Sequence, residues 1–385
     1  MVNFTNMLLG KESLSKRLHK ERLKLLVVWN ITRRCNLYCK HCYASSTIKP
    51  SPSELSTQEA KNLIDGLAEL GVGVLLFSGG EPLLREDLLE IIEHAHARNI
   101  RCAISTNGTL ITQKIAHSLK EAGIIYVGVS IDGDRETHNQ LRGKGCFEAA
   151  LEGLRICQQV GIPVGVRFTI NKLNYHSLDD VLSFVMKEKI PRFCMYHLVY
   201  TGRADKEMDI DNKERRKVID YLIRTAREVS SEDVEILTVD NPCDGVYLYK
   251  KIVNDSPHRK DELLKELMFG HGRCSAGEKI LSISPEGDVG ACQFWRHQSL
   301  GNVRKEHIKE IWNNNYRCNL LQNKSDYLKG KCGICNYKQV CGGCRLRAKE
   351  VYGDLWAQDP SCYLTQKEVS DGVSLPASTT VTEEW

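Results

Sequence analysis

Sixteen cysteines constrain this 385-residue chain more than any other feature, because they are clustered rather than scattered. Three lie between residues 35 and 42, and five between 332 and 362. The opening stretch MVNFTNMLLGKESLSKRLHKERL has neither the apolar core nor the small-residue cleavage site of a secretory leader. No apolar run approaches the roughly 20 residues that span a bilayer. The expectation is a cytoplasmic protein in a reducing compartment, where disulfides do not persist. Clustered thiols there read first as ligands of a metal ion or an iron–sulfur cluster. Charge excludes more than it suggests. With 53 Lys+Arg against 49 Asp+Glu the net charge is +4, too even to argue for nucleic acid or a membrane surface as partner.

The first half alternates short β-branched runs with helical patterns. Strands are expected at residues 23–30, 73–78, 100–105, 125–131, 164–170 and 192–199. Helices are expected at 56–70, 88–99, 113–122, 146–160 and 178–187, with Ser56 and Glu59 spaced as a capping box. Six strands in this succession imply parallel βα units with right-handed crossovers. Periodicity leaves two forms open, a doubly wound open sheet and a barrel-like arc. A further polar helix and strand follow within 205–240. The rhythm stops by about residue 270. This divides the chain into an extension (1–22), a βα core (23–240), a cysteine-rich unit (241–366) and a polar, disordered tail (367–385).

Just after the first strand, TRRCNLYCKHCY spaces Cys35, Cys39 and Cys42 as C-x3-C-x2-C. Three thiolates on one tight loop can ligate three irons of a cubane and leave the fourth open to a chelating small molecule. A structural zinc would want four ligands in paired knuckles, and His41, between two ligands, is expected to point away. One strand on, Gly79, Gly80, Glu81 and Pro82 follow the run GVLLFS. The glycines let backbone approach a ligand, and the carboxylate could accept from an ammonium group. A plain Gly-Pro turn is the competing reading.

These motifs together resemble the radical S-adenosyl-L-methionine (SAM) superfamily. The resemblance implies a partial (β/α)6 TIM-like barrel of the α/β class. By it, Cys35, Cys39 and Cys42 would hold a [4Fe–4S] cluster whose unique iron chelates SAM, and residues 79–82 would hold the methionine amino group. One-electron reduction would then cleave SAM to methionine and a 5′-deoxyadenosyl radical. Polar strand-end residues, Ser105, Asn107, Ser130 and Asp132, could reach the ribose or the methionine carboxylate. Arg142 is a candidate carboxylate partner, and Arg167 a weaker one.

The later cysteines run Cys274-x12-Gly287-x4-Cys292, then Cys332-x2-Cys335-x5-Cys341-x2-Cys344, then Cys362. A zinc ribbon could use four of these seven and would leave three unexplained. The arrangement resembles the SPASM domain, which carries auxiliary [4Fe–4S] clusters. That resemblance implies one cluster on Cys332, Cys335, Cys341 and Cys362, and another on Cys274, Cys292 and Cys344, so one or two auxiliary clusters. The second set lacks a nearby fourth cysteine, so its cluster either keeps an open iron or uses another ligand, for which His271, Asp288 and Cys318 are candidates. Cys102, Cys146, Cys157, Cys194 and Cys243 read as ordinary buried thiols.

The stretches VVWNITRRCNL, MYHLVYTGRA, DNPCDGVYLY, QFWRH and YGDLWAQDPSCYLT resemble radical SAM enzymes that trim side chains from siroheme-derived tetrapyrroles. Two activities occur among them. One removes acetate groups from didecarboxysiroheme, and one serves the dioxo-heme of nitrite reductase. The resemblance implies a tetrapyrrole substrate and an electron donor such as ferredoxin or flavodoxin. Arg296, His297, Arg345 and Arg347 could pair with its carboxylates, and Trp295 and Trp356 could stack on the macrocycle. His197 could be an axial ligand, although a strand-end His is more often structural. A SPASM-containing peptide maturase and a non-enzymatic cluster carrier are the rival readings.

Overall fold

The computed structural model describes residues 1–10, 25–229, 234–269, 272–295 and 298–371. Its centre is one 11-stranded sheet. Seven strands, β2 (Leu26–Thr32), β3 (Val74–Gly79), β4 (Arg101–Thr106), β5 (Ile124–Ser130), β6 (Val164–Ile170), β7 (Arg192–His197) and β8 (Glu235–Val239), are parallel and adjacent in chain order. This order decides between the two forms that periodicity left open. A doubly wound sheet reverses direction partway, whereas a sequential order with right-handed crossovers puts every helix on one face. The result is a barrel-like arc.

Strand alternation separates two faces. Trp29, Phe77, Ile104, Val129, Phe168 and Phe193 are buried in the layer shared with the helices. On the inner face, Asn30, Ser78, Ser105, Ser130, Arg167 and Tyr196 remain polar and occupy the opposite register. Polar residues collect at the carboxyl ends of the strands, where βα folds build their sites.

The cysteine-rich segment extends the same sheet. Strand β9 (Ile280–Ile283) pairs in parallel with β2, and β10 (Asp288–Gly290) and β11 (Gly301–Asn302) continue it antiparallel.

Two expectations at the chain ends change. Residues expected as an extension begin with β1 (Val2–Asn3), which pairs antiparallel with β8, and the helix Phe4–Leu9. Phe4 is fully buried, and the Thr5 hydroxyl bridges Val234 O (3.3 Å) and Ile236 N (2.9 Å). Here a polar sequence hides a two-residue strand and one apolar face, too short to register as periodicity. The remainder of that segment, 11–22, lies outside the described residues, as do 23 and 24. The tail expected from residue 367 contains the helix Gln366–Ser370, closed by a Thr365–Glu368 capping box. Glu368 meets Arg216 at 2.6 Å, and Val369 is buried. Residues 372–385 lie outside the described set. Phe4→Ala is therefore expected to cost about 3–5 kcal/mol, as for a core aromatic, read as a large drop in thermal midpoint. A free extension would give a change within about 0.5 kcal/mol.

Candidate active site and cluster pockets

The first cysteine loop leaves β2 at Thr32 and closes on itself. Cys35 N donates to Thr47 O at 2.8 Å, and Thr47 N to Arg33 O at 2.9 Å. Donors already face the sulfurs. Leu37 N lies 3.4 Å from Cys35 Sγ, Arg142 Nη1 lies 3.8 Å from Cys39 Sγ, and Ser46 Oγ lies 3.4 Å from Cys42 Sγ. Burial pushes the Cys35 thiol up to about 11 and raises Cys39 as well, so thiolates here need a bound cation to form.

A clamp from beyond β7 holds this loop, and sequence reasoning missed it. Arg203 donates to Cys39 O (2.8 Å) and Ser46 O (2.9 Å), and its backbone N to Cys42 O (2.9 Å). Its guanidinium stacks 3.9 Å from the Tyr38 ring centroid. Gly202 (φ +70°) is required because a Cβ would fall 2.3 Å from Cys42 O. The Gly-Arg pair within MYHLVYTGRA was the available signal.

The two glycines after β3 serve backbone packing. A Cβ on Gly80 would lie 2.1 Å from Arg34 O, and one on Gly79 2.6 Å from Thr32 O. Gly80 N and Glu81 N each donate at 2.8 Å, to Thr32 O and Arg34 O. Pro82 opens one 3-10 turn. The reading of the Glu81 carboxylate as an ammonium acceptor is corrected. It is fully buried and accepts from Leu83 N (3.2 Å), Thr106 Oγ1 (2.8 Å) and Asn107 N (2.8 Å). It staples β3 to β4, out of a ligand's reach.

Asp132 is corrected in the same way. Also fully buried, it accepts from Arg142 Nε (2.6 Å), His41 Nε2 (2.9 Å) and Thr169 N (2.7 Å). Burial opposes its ionisation, yet Arg142 and His41 hold the carboxyl well below the usual range. His41, expected to point away, turns inward onto this carboxylate. Asn107 reaches the cysteine loop, with Nδ2 2.9 Å from Asn36 Oδ1 and 3.9 Å from Cys35 Sγ. Ser105 and Ser130 are half-buried on the inner face. Between the loop, the glycines and the cysteine-rich unit lies a cavity of about 390 Å³, lined by Asn30, Thr32, Gly79, Gly202, Gln293 and Trp295 among others.

In the C-terminal region Cys332, Cys335, Cys341 and Cys362 ring one pocket, together with Cys243, which sequence reasoning had set aside. Tyr337 N, Asp359 N and Arg345 Nη2 face the Cys335 and Cys332 sulfurs at 3.4, 3.3 and 3.8 Å. Cys274, Cys292 and Cys344 lie within electrostatic reach of one another. Among the described residues, no three His, Cys, Asp or Glu side chains converge tightly enough to grip a single ion; Cys332, Cys335, Cys341 and Cys362 surround a pocket instead.

Arg345 and Arg347 do not face a substrate. Both are fully buried. Arg345 holds Leu355 O and Ala357 O at 3.1 and 2.8 Å, and Arg347 holds Asp359 and reaches Leu198 O at 3.2 Å. His197 is structural, donating to Asp244 at 2.8 Å and accepting from Arg215 at 3.3 Å. Trp295 lines the cavity, while Trp356 packs 5.1 Å from the Tyr327 ring. Arg296, His297 and His271 lie outside the described residues.

Comparison with known proteins agrees with this architecture. Residues 29–185 match the radical SAM superfamily, and residues 274–336 match SPASM, an iron–sulfur cluster-binding domain. The chain is 47% identical over 357 residues to the Fe-coproporphyrin III synthase of Methanosarcina barkeri, covering 90% of this chain and 89% of that protein. It is 37% identical over 360 residues to the pre-heme d1 synthase of Dinoroseobacter shibae, covering 91% and 89%. Its fold matches Streptococcus suis SuiB bound to S-adenosylmethionine at a TM-score of 0.69 and 19% identity, covering 91% of this chain and 80% of that one.

Two outcomes test the site. Gly80→Ala must part the two loops, so iron loading at the first cysteine set and SAM affinity should each fall at least about tenfold. Gly71→Ala controls for backbone strain alone: at φ +77° it costs stability, but nothing lies within 4 Å of its Cβ, so iron loading and SAM affinity should hold. Burial also pushes the Glu81 carboxyl up to about 7 against its three donors, so the folded chain keeps a proton that the unfolded chain releases near 4.5. That stability is full below about pH 4.5 and is lost as pH rises through about 7. Glu81→Gln should flatten the slope of thermal midpoint against pH across this window.

Proposed function

The chain belongs to the radical SAM enzymes that carry a SPASM iron–sulfur domain, and from that premise we propose that it removes two acetate side chains from 12,18-didecarboxysiroheme to give Fe-coproporphyrin III. The observation that carries this reading is the 47% identity to a Fe-coproporphyrin III synthase over 90% of the chain. Membership makes it an enzyme rather than the electron carrier that its cysteines alone allow.

The residues present fit the cofactors. Glycines admit close backbone approach beside the first loop, donors are aimed at its sulfurs, and cysteines ring the C-terminal pocket. Bound SAM on a reduced [4Fe–4S] cluster supplies, by one-electron cleavage, a radical able to take hydrogen from an unactivated side-chain carbon.

The chain's own groups hold and orient. Cys35, Cys39 and Cys42 ligate the first cluster, and Asp132 fixes their loop through His41 and Arg142. Gly79, Gly80, Pro82, Ser105 and Ser130 border the place where SAM binds. Arg142 keeps further N–H donors for its carboxylate. Arg167 lies on the inner face, its guanidinium 4.4 Å from the Tyr196 ring centroid, and would take a carboxylate of the macrocycle. Trp295 borders the same cavity as Gly79 and supplies an apolar wall. Among the described residues no helix is long and apolar enough to cross a membrane. Reduction of the first cluster calls for a one-electron donor such as a ferredoxin or flavodoxin.

Likeness to a pre-heme d1 synthase at 37% identity favours a second reading, removal of propionate side chains on the route to the nitrite-reductase heme. An anaerobic reaction with SAM, dithionite and 12,18-didecarboxysiroheme, read by mass spectrometry, separates them. Loss of two acetate groups with formation of 5′-deoxyadenosine is expected. SAM cleavage with an unaltered macrocycle would overturn the deacetylase reading and leave the second, or a peptide substrate.

A further inference from the structure

We propose that Asp240 is the fourth protein ligand of the auxiliary cluster held by Cys274, Cys292 and Cys344. The inference rests on assigning those three cysteines to one cluster, as proposed above. Three thiolates leave one iron of a cubane without a protein ligand. Of the candidates suggested by spacing, His271 lies outside the described residues, and the other two do not fill that place. Asp288 sits exposed on the β10–β11 hairpin, accepting from Asn302 Nδ2 at 2.9 Å. Cys318 is buried in the helix Tyr316–Gln322, packed against Gly277 and Leu321.

Asp240 follows β8 at the mouth of the barrel. Its Oδ2 is buried without a hydrogen-bond partner, and among the described residues no other buried carboxylate oxygen is left so. The neighbouring acids show the contrast. Asp244 accepts from His197, Asn241 and Tyr363 at 2.8, 3.0 and 3.0 Å. Asp359 accepts from Arg347 and from Cys344 N at 2.6 Å. An oxygen of a buried carboxylate with no hydrogen-bond donor is costly to keep, and a bound cation would satisfy it.

Its surroundings point to the cluster. The Cys292 thiol feels the charges of Cys274, Cys344 and Asp240 together. Hydrogen bonds also bind the adjoining residue to a ligand of the same set. Asn241 Oδ1 accepts from Arg347 Nη2 at 3.1 Å, Arg347 holds Asp359, and Asp359 accepts from Cys344 N. Asp240 adopts φ +70°, a left-handed conformation that Asp tolerates better than most residues and that costs free energy all the same. The chain's own amino terminus does most to offset its negative charge, followed by Arg347, His197 and Arg167. A hard carboxylate on one iron of an otherwise cysteinyl cluster would make that iron distinct from the other three and would fill the place that an outside ligand such as cyanide needs.

The test uses the full chain with the first cluster silenced by Cys35→Ala, Cys39→Ala and Cys42→Ala, reconstituted anaerobically. Iron content should be about eight per chain, two cubanes. Adding Asp240→Ala should keep that iron, shift the electron paramagnetic resonance spectrum of the reduced protein, and let cyanide perturb it. Without that change cyanide should have no effect, and Asp240→Cys should restore the resistance. If Asp240→Ala does not fold, Asp240→Asn carries the same reading, since an amide is a far poorer ligand. An unshifted spectrum at full iron content, or a cyanide response already present with Asp240 intact, would overturn the ligand. Only four irons in the silenced chain would instead overturn the three-cysteine assignment and the ligand with it.

Discussion

Asp132 carries the arrangement on which the site depends. A carboxylate removed from water survives only when its charge is matched. Here the matching groups are Arg142, the ring of His41 between two cysteines, and the backbone of β6 at Thr169. Each belongs to a different stretch of chain, so one buried charge locks the cysteine loop, the end of β5 and the end of β6 into a single geometry. Breaking such a pair by removing one partner costs about 3–5 kcal/mol, because the other charge stays buried. Burial also pushes His138 down to about 3, so that as a neutral ring it accepts from Asp132 N at 3.1 Å. A charged ring there would compete with Arg142.

The barrel interior follows the same logic with aromatic rings. Gly128 and Gly165 occupy inner positions on β5 and β6, where a Cβ would meet Arg167 Cδ at 2.6 Å and Tyr126 OH at 2.1 Å. Their lack of side chains makes room for a long cation and a phenol inside a strand-lined space. Arg192 pairs with Glu235 at 2.6 Å while resting on Tyr126. Arg167 has its ring contact with Tyr196 instead, which leaves its planar fork available to a carboxylate.

The cysteine-rich unit is bound to the barrel by more than sequence continuity. Strand β9 adds to β2 through four registered pairs, and Arg347 reaches from the helix Arg345–Tyr352 to Leu198 O just beyond β7. Cys274 N donates to Cys341 O at 3.1 Å, linking the two cysteine sets directly. An electron moving between clusters would therefore cross a packed, hydrogen-bonded interface rather than a hinge.

How much was legible depends on distance along the chain. The cysteine spacings, the Gly-Gly pair and the βα alternation are local, so the sequence alone determined the βα class and the resemblance to its family, and it singled out Cys35, Cys39 and Cys42 as the ligands proposed for the first cluster. Roles set by partners far apart were not legible. Glu81 and Asp132 read as ligand contacts but are staples, because Thr106, Asn107, Arg142 and His41 reach them only after folding. Arg345 and Arg347 read as substrate clamps but bind carbonyls and Asp359, since nothing local shows which guanidinium is buried. Arg203 and Asp240 lie in stretches that stood out, but nothing local gave either a role, for the same reason. Only the tertiary structure decided these, because whether a charged group serves a ligand or the fold depends on its burial and its neighbours, and both are properties of the packed chain.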